Sequence, residues 1–169
     1  MEIVERENAL CFTSDTGDIV RCYQDMVYRI AFTYCKNAAD AEDVAQEVFI
    51  RYLNSKKEFD DEEYLKAWLI RVTVNASKNL LRSSWFKKTV SISKQENLRA
   101  EEGEKTETYY AVMSLPEKYR SVILLYYFEE YTVREIADIL QRSETAVQTQ
   151  LQRARAILKQ KLKGDWQNE

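Results

Sequence analysis

The chain has 169 residues, enough for one ordinary domain or two small ones, and its net charge of −3 gives no sign of a nucleic-acid partner by itself. It contains no histidine, which excludes Ser-His and Cys-His catalysis, Cys/His zinc fingers and His-based metal sites. Three glycines and one proline argue against hairpin-rich β folds and for long helices joined by short polar turns.

Residues 19–36 carry Tyr23, Val27, Ile30, Ala31 and Tyr34 at helical spacing, with Gly17 and Asp18 as a start signal and Asn37 as a break. A second helix is expected over 39–54. Its opening, AADAEDVAQEVF, holds Asp40, Glu42, Asp43 and Glu47. On a helical wheel Ala41, Val44, Ala45, Val48 and Tyr52 form the stripe to be buried. Asp43, Gln46, Glu47 and Ile50 cluster on another side, with Asp40 beside them. Acids alone would describe a solvated face. An apolar Ile50 among them points to a protein interface, one apolar contact within charges that steer a basic partner.

The segment FDDEE, 59–63, reads as a loop running into a third helix over 63–83. Arg71, Asn75, Lys78 and Arg82 are spaced 4, 3 and 4 apart and share one face. From 71 to 94 there are Arg71, Lys78, Arg82, Lys87, Lys88 and Lys94 and no acid. Trp68, Trp85 and Phe86 are interleaved, and basic charge beside aromatics suits a nucleic-acid strand with unstacked bases. Trp68, flanked by Ala67 and Leu69, reads as a packed residue.

Residues 91–108 hold only Ile92 and Leu98 as large apolar residues, too few to offset the entropy of ordering. They are expected to form a flexible linker between two small helical domains, 1–90 and 109–169, in an all-α chain. In the second domain Ser114 and Pro116 read as an N-cap and a first-turn proline. Thr132 to Glu135, TVRE, fits a capping box ahead of a short helix ending at Leu140. After a break at Gln141 and Arg142, Ser143 caps a second helix. Two helices across so short a turn form the helix-turn-helix pattern.

In that last helix Val147, Leu151, Ala154, Leu158 and Leu162 fall on one stripe. The opposite side presents Thr145, Gln148, Thr149, Gln152 and Arg153, side chains suited to base edges and phosphates. Residues 142–163 carry Arg142, Arg153, Arg155, Lys159, Lys161 and Lys163 against Glu144, a local +5. The same pattern also fits a solvated helical hairpin with a basic end.

Cys11, Cys22 and Cys35 form no CxxC pair and fit no common metal knuckle; they read as three reduced thiols, the last two packed. No leader pattern and no apolar run of about 18 residues is present, so a cytoplasmic protein without membrane insertion is expected. No acid–base pair, activated nucleophile or phosphate loop stands out, so neither an enzyme nor a cofactor is expected. The acids of 40–47 do not suggest Mg²⁺, which usually needs substrate phosphates as well.

Four stretches carry a family resemblance: YQDMVYRIAFTYCKNAADAEDVAQEVFIRYL, AWLIRVTVNASKNLLR, LPEKYRSVILLYYFEEYTVREIADIL and TAVQTQLQRARAILKQKL. Together, over about residues 20–162, the chain resembles an extracytoplasmic-function sigma factor of the sigma-70 family. The resemblance implies a bacterial transcription initiation subunit, with core RNA polymerase and promoter DNA as partners and often an anti-sigma factor. Residues 1–90 would then be region 2 and 109–169 region 4. Asp43, Gln46, Glu47 and Ile50 would meet the coiled coil of the polymerase clamp. Asn75 and the loop beginning at Phe59 would form a pocket for a flipped −10 base. Arg71, Lys78, Asn79 and Arg82 would lie along the −10 DNA. Thr145, Gln148, Thr149, Gln152 and Arg153 would face the −35 element, with Tyr119 and Arg120 contacting its backbone. A stand-alone helix-turn-helix regulator is the alternative, but it has no need of the acidic helix.

Two departures stand out. Relatives often read TVKSR where this chain has AVQTQ, 146–150, so Gln replaces two commonly basic residues. Gln141 occupies a position where a turn glycine is frequent.

Overall fold

The computed structural model describes residues 15–88 and 106–166, and regular structure among them is helical. The chain divides into two compact units at about residue 93. The first is built on α1 (Thr16–Cys35), α2 (Ala38–Ser55) and α3 (Glu62–Lys88). The second holds α4 (Glu107–Met113), α5 (Glu117–Ile123), α6 (Val133–Leu140) and α7 (Glu144–Trp166).

In the first unit α1 packs along α3. Val27 and Ile30 of α1, Val44 and Val48 of α2, and Leu65 and Leu69 of α3 are buried. Each such aliphatic side chain contributes about 1.5–3 kcal/mol by leaving water. Thr73 is buried among them, and its hydroxyl donates to the Leu69 carbonyl of its own helix at 2.6 Å. The buried Tyr23 hydroxyl donates to Glu62 Oε1 at 2.8 Å and pins the start of α3 to α1. Asp61 caps α3, its Oδ1 accepting from the Tyr64 amide at 2.7 Å. The third helix therefore starts where the FDDEE segment indicated and runs beyond the expected residue 83.

The second unit begins earlier than expected. Thr106 caps α4, its hydroxyl accepting from the Tyr109 amide at 3.3 Å. Thus 106–108 belong to a helix start, while 89–105 lie outside the described residues. Ser114 is the C-cap of α4, not an N-cap, and Pro116 stands at the N-cap of α5 instead of inside its first turn. After α5 the helix widens into a π-helical turn, Leu124–Phe128, closed by the Glu129 amide donating to the Leu124 carbonyl at 3.1 Å. That turn leaves Leu124 and Leu125 buried and throws Tyr127 and Phe128 outward. The capping box at α6 forms as expected: Thr132 N–H donates to Glu135 Oε2 at 2.8 Å, and the Glu135 amide donates to Thr132 Oγ1 at 3.3 Å. The Thr132 N–H, and then its hydroxyl, which also donates to Glu135 Oε2 at 2.8 Å, hold the Glu135 carboxyl below its ordinary pKa.

Several helix ends take an unusual form. Lys36, Lys56, Glu130 and Gln141 all adopt positive φ, from 49° to 58°, the conformation that usually goes to glycine at such ends. Gln141, at φ 53° and ψ 51°, ends α6, and the Arg142 amide reaches back to the Ala137 carbonyl at 2.9 Å in a Schellman closure. Cys22 and Cys35 are both half-buried, and Cys11 lies outside the described residues.

A left-handed non-glycine residue carries a steric cost of about 1–2 kcal/mol, which glycine escapes at some entropic loss. Gln141→Gly is therefore expected to stabilise the second unit by about 0.5–1 kcal/mol, and Gln141→Ile to destabilise it. Urea unfolding midpoints of the two variants check this.

Candidate polymerase and nucleic-acid interfaces

Three helix faces carry the site residues. On α2, burial of Ala41, Val44, Val48 and Phe49 turns the acidic side outward. Asp43 and Gln46 are exposed, and Glu47 is half-buried and paired with Arg51 one turn on. Ile50 is 56% exposed, as its place among the acids indicated. Leu53 is 55% exposed on the same side, and the wheel reading missed it. The signal was available: Leu53 lies three residues beyond Ile50, outside the buried stripe. The face therefore offers two large exposed apolar side chains with carboxylates on its N-terminal side.

On α3, Asn75, Asn79 and Arg82 are exposed, and Arg71 and Lys78 are half-buried. No acid follows Glu63 in the helix, so its outer face is uniformly basic or neutral. At the N-terminal end of that face stands an aromatic cluster. The Phe59 ring lies 5.3 Å from Tyr64, 5.5 Å from Trp68 and 6.0 Å from Tyr52. Such tilted and edge-on contacts are each worth about 0.5–1.5 kcal/mol beyond area burial. Burial raises the Tyr52 phenol above its ordinary pKa. Trp68 does pack, but half-buried, with its partners on the Phe59 loop and α2. Asn75 follows Trp68 by two turns on the same side, about 10 Å along the axis. Phe59 is thereby fixed at one end of the face and Asn75 near its middle. The side chains of Trp85, Phe86, Lys87, Lys88 and Lys94 lie outside the described residues.

On α7, Ser143 caps the helix through its hydroxyl, which accepts from the Ala146 amide at 3.1 Å. Val147, Leu151 and Ala154 are buried, and Leu158 and Leu162 are half-buried, as the stripe required. Thr145, Gln148, Gln152 and Arg153 are exposed on the far side. Thr149 is half-buried and its hydroxyl donates to the Thr145 carbonyl at 2.8 Å. The basic charge counted in sequence is not all free to meet a ligand. Arg142 donates to Gln150 Oε1 at 2.8 Å. Arg155 donates to the Tyr127 hydroxyl at 2.7 Å and sits 5.3 Å from the Tyr126 ring centre. Lys161 donates to Ser114 Oγ at 2.6 Å. Arg153, Lys159 and Lys163 are exposed, as are Arg155 and Lys161. These cross-element bonds involve side chains far apart in sequence, and no periodicity announces them.

Tyr119 and Arg120, read as DNA-backbone contacts, are 8% and 5% exposed. The Arg120 guanidinium donates to the Leu115 carbonyl at 2.6 Å, satisfying an acceptor created by the turn between α4 and α5. Both residues belong to the framework.

The model of sigma-70 region 2 matches residues 19–87, and the model of sigma-70, region 4 matches residues 106–158. The chain is 33% identical over 152 residues to the ECF RNA polymerase sigma factor SigM of Bacillus subtilis (strain 168), covering 84% of this chain and 91% of that one. It is 29% identical over 150 residues to the RNA polymerase sigma factor SigV of the same organism, covering 83% and 89%. Among solved structures, the sigma factor RpoE in complex with the anti-sigma factor NepR from Bartonella quintana matches with a TM-score of 0.74. It covers 89% of this chain and 98% of that one at 20% identity, a likeness of fold.

If Arg120 is framework, Arg120→Met removes a charged hydrogen bond and costs about 1.5–3 kcal/mol of stability. It leaves the salt dependence of DNA binding unchanged. Unfolding midpoints and binding isotherms at several salt concentrations measure the two effects separately.

Proposed function

This chain belongs to the sigma-70 family, and we propose from that membership and from its three outward faces how it works. It is an alternative sigma factor of the extracytoplasmic-function group: it binds core RNA polymerase and directs promoter recognition and opening. The α2 face docks on the coiled coil of the polymerase clamp. Asp43 and Glu47 steer a basic partner, and Ile50 and Leu53 supply the apolar contact. The α3 face takes the −10 element, with Arg71, Lys78 and Arg82 along the backbone. Asn75 and the aromatic end around Phe59 receive a base taken out of the stack. The exposed face of α7 takes the −35 element in the major groove.

The mechanism is non-covalent. Unstacking a base costs a few kcal/mol, which contacts to the extruded base offset. Opening is then a population shift driven by tighter binding to the unpaired strand. Two weak readers on one tether gain through effective concentration when the tether spans their separation. The protein acts in the cytoplasm, without catalysis of its own. The apolar pair on α2 and the outer face of α7 are the surfaces an anti-sigma factor would have to cover.

One observation carries this reading over a stand-alone regulator: an acidic helix face with two large side chains, Ile50 and Leu53, more than half exposed. A protein that met DNA alone would have no reason to leave them in water. Asp43→Arg and Glu47→Arg are expected to abolish capture by core polymerase with an unchanged melting curve, since exposed charge pairs contribute about 1 kcal/mol or less to folding. Normal capture by the reversed proteins would return α2 to an ordinary solvated face. Asn75→Ala is expected to lose −10 discrimination with core binding intact. An equal fall in core binding would make Asn75 structural.

A further inference from the structure

Ile50, Leu53 and Tyr64 are the large apolar or aromatic side chains left exposed among the described residues of the first unit. The first two belong to the α2 face. Tyr64, 48% exposed in the first turn of α3, has no part in that face. Tyr64, Trp68, Arg71, Asn75, Lys78 and Arg82 follow one another at spacings of 4, 3, 4, 3 and 4. Tyr64 therefore continues the basic face of α3 one turn beyond Trp68.

Its neighbours limit what it can do there. The Tyr64 ring lies 5.3 Å from the Phe59 ring, and Phe59 is half-buried against Trp68 and Tyr52. Tyr64 is thus the exposed ring of a cluster whose other members are half-buried. A ring braced in this way has little freedom left to lose when another ring stacks on it. Asp60, Asp61 and Glu63 stand beside it in the chain as exposed carboxylates, which disfavour a phosphate. A neutral base meets no such penalty, and its phosphate can stay with Arg71 and Lys78 at the middle of the helix.

We propose that Tyr64 is a second base-contacting residue of the α3 face, an aromatic platform on which an unpaired base of the opened −10 strand stacks, in addition to the base received by Asn75 and Phe59. The inference rests on the assignment of α3 to the −10 element. Stacking accepts any base, because every base has a π-face. Tyr64 therefore supplies affinity for the opened strand, and Asn75 supplies discrimination. A base still paired and stacked in the duplex offers no open face, so the platform favours opened over closed DNA.

The test uses holoenzyme reconstituted with core polymerase, on promoter DNA with either strand of the −10 element left unpaired and on the same promoter fully paired. Tyr64→Leu keeps an apolar contact with Phe59 and removes the aromatic face, whereas Tyr64→Phe keeps both. Tyr64→Leu is expected to weaken binding to the unpaired DNA about fivefold or more, the lower end of what one stacked base contributes. Its binding to paired DNA and its capture by core should stay at the wild-type level, and Tyr64→Phe should bind as the wild type does. Removing single bases from the unpaired strand should locate one position where the wild type loses the same factor and Tyr64→Leu loses nothing further. Undiminished binding of unpaired DNA by Tyr64→Leu, an equal loss on paired DNA, an equal loss in Tyr64→Phe, or no such position would overturn the proposal. Lost capture by core would also overturn it and would assign Tyr64 to the polymerase interface. A wild-type holoenzyme that binds unpaired and paired DNA alike would sink the −10 assignment and the proposal together. A wild-type preference that responds to Asn75→Ala and not to Tyr64→Leu sinks the platform alone.

Discussion

Val147, Leu151 and Ala154 are pressed into the core of the second unit, and that contact fixes which way every other side chain of α7 points. Rotating the helix by one residue, about 100°, would bury Gln148 and Gln152 and expose the aliphatic stripe. That change would forfeit about 1.5–3 kcal/mol for each large side chain and strand two amides. The same constraint operates in the first unit. Val44 and Val48 set the azimuth of α2, and Leu65 and Leu69 that of α3. Each functional face is the reverse side of a buried one. Recognition here therefore depends on core packing at residues that touch no ligand.

A second layer of control lies between elements. Arg142 to Gln150, Arg155 to Tyr127 and Lys161 to Ser114 each tie α7 to a different part of its unit. Their acceptors are neutral, so the three cations keep their charge while their side chains are held in place, and Arg155 and Lys161 are exposed along with Arg153, Lys159 and Lys163. The first unit follows a different plan, with a continuous basic face on α3 that suits backbone contact.

Much of this was legible in sequence, for identifiable reasons. Helix starts announce themselves through side-chain caps, and Thr132 and Ser143 cap where the pattern said they would. Faces follow from periodicity, which located the acidic side of α2, the basic side of α3 and the neutral side of α7. Helix ends were harder. The chain has three glycines, and Lys36, Lys56, Glu130 and Gln141 take the left-handed conformation without one. The π-helical turn was invisible, because one extra residue in a hydrogen-bonded ring leaves no compositional mark. Arg120 was read as a surface cation because its acceptor, the Leu115 carbonyl, exists only once the α4–α5 turn has formed. The cross-element pairs were hidden for the same reason.

The central claim is that these faces serve one act, bringing core polymerase to chosen promoters. Its most direct measurement combines the purified protein with bacterial core polymerase and runs transcription on a set of genomic promoter fragments. The account predicts a stable complex with core, selection of a defined subset of promoters, and opening of the −10 region only when the protein is present. A protein that fails to bind core and selects no promoter would contradict it.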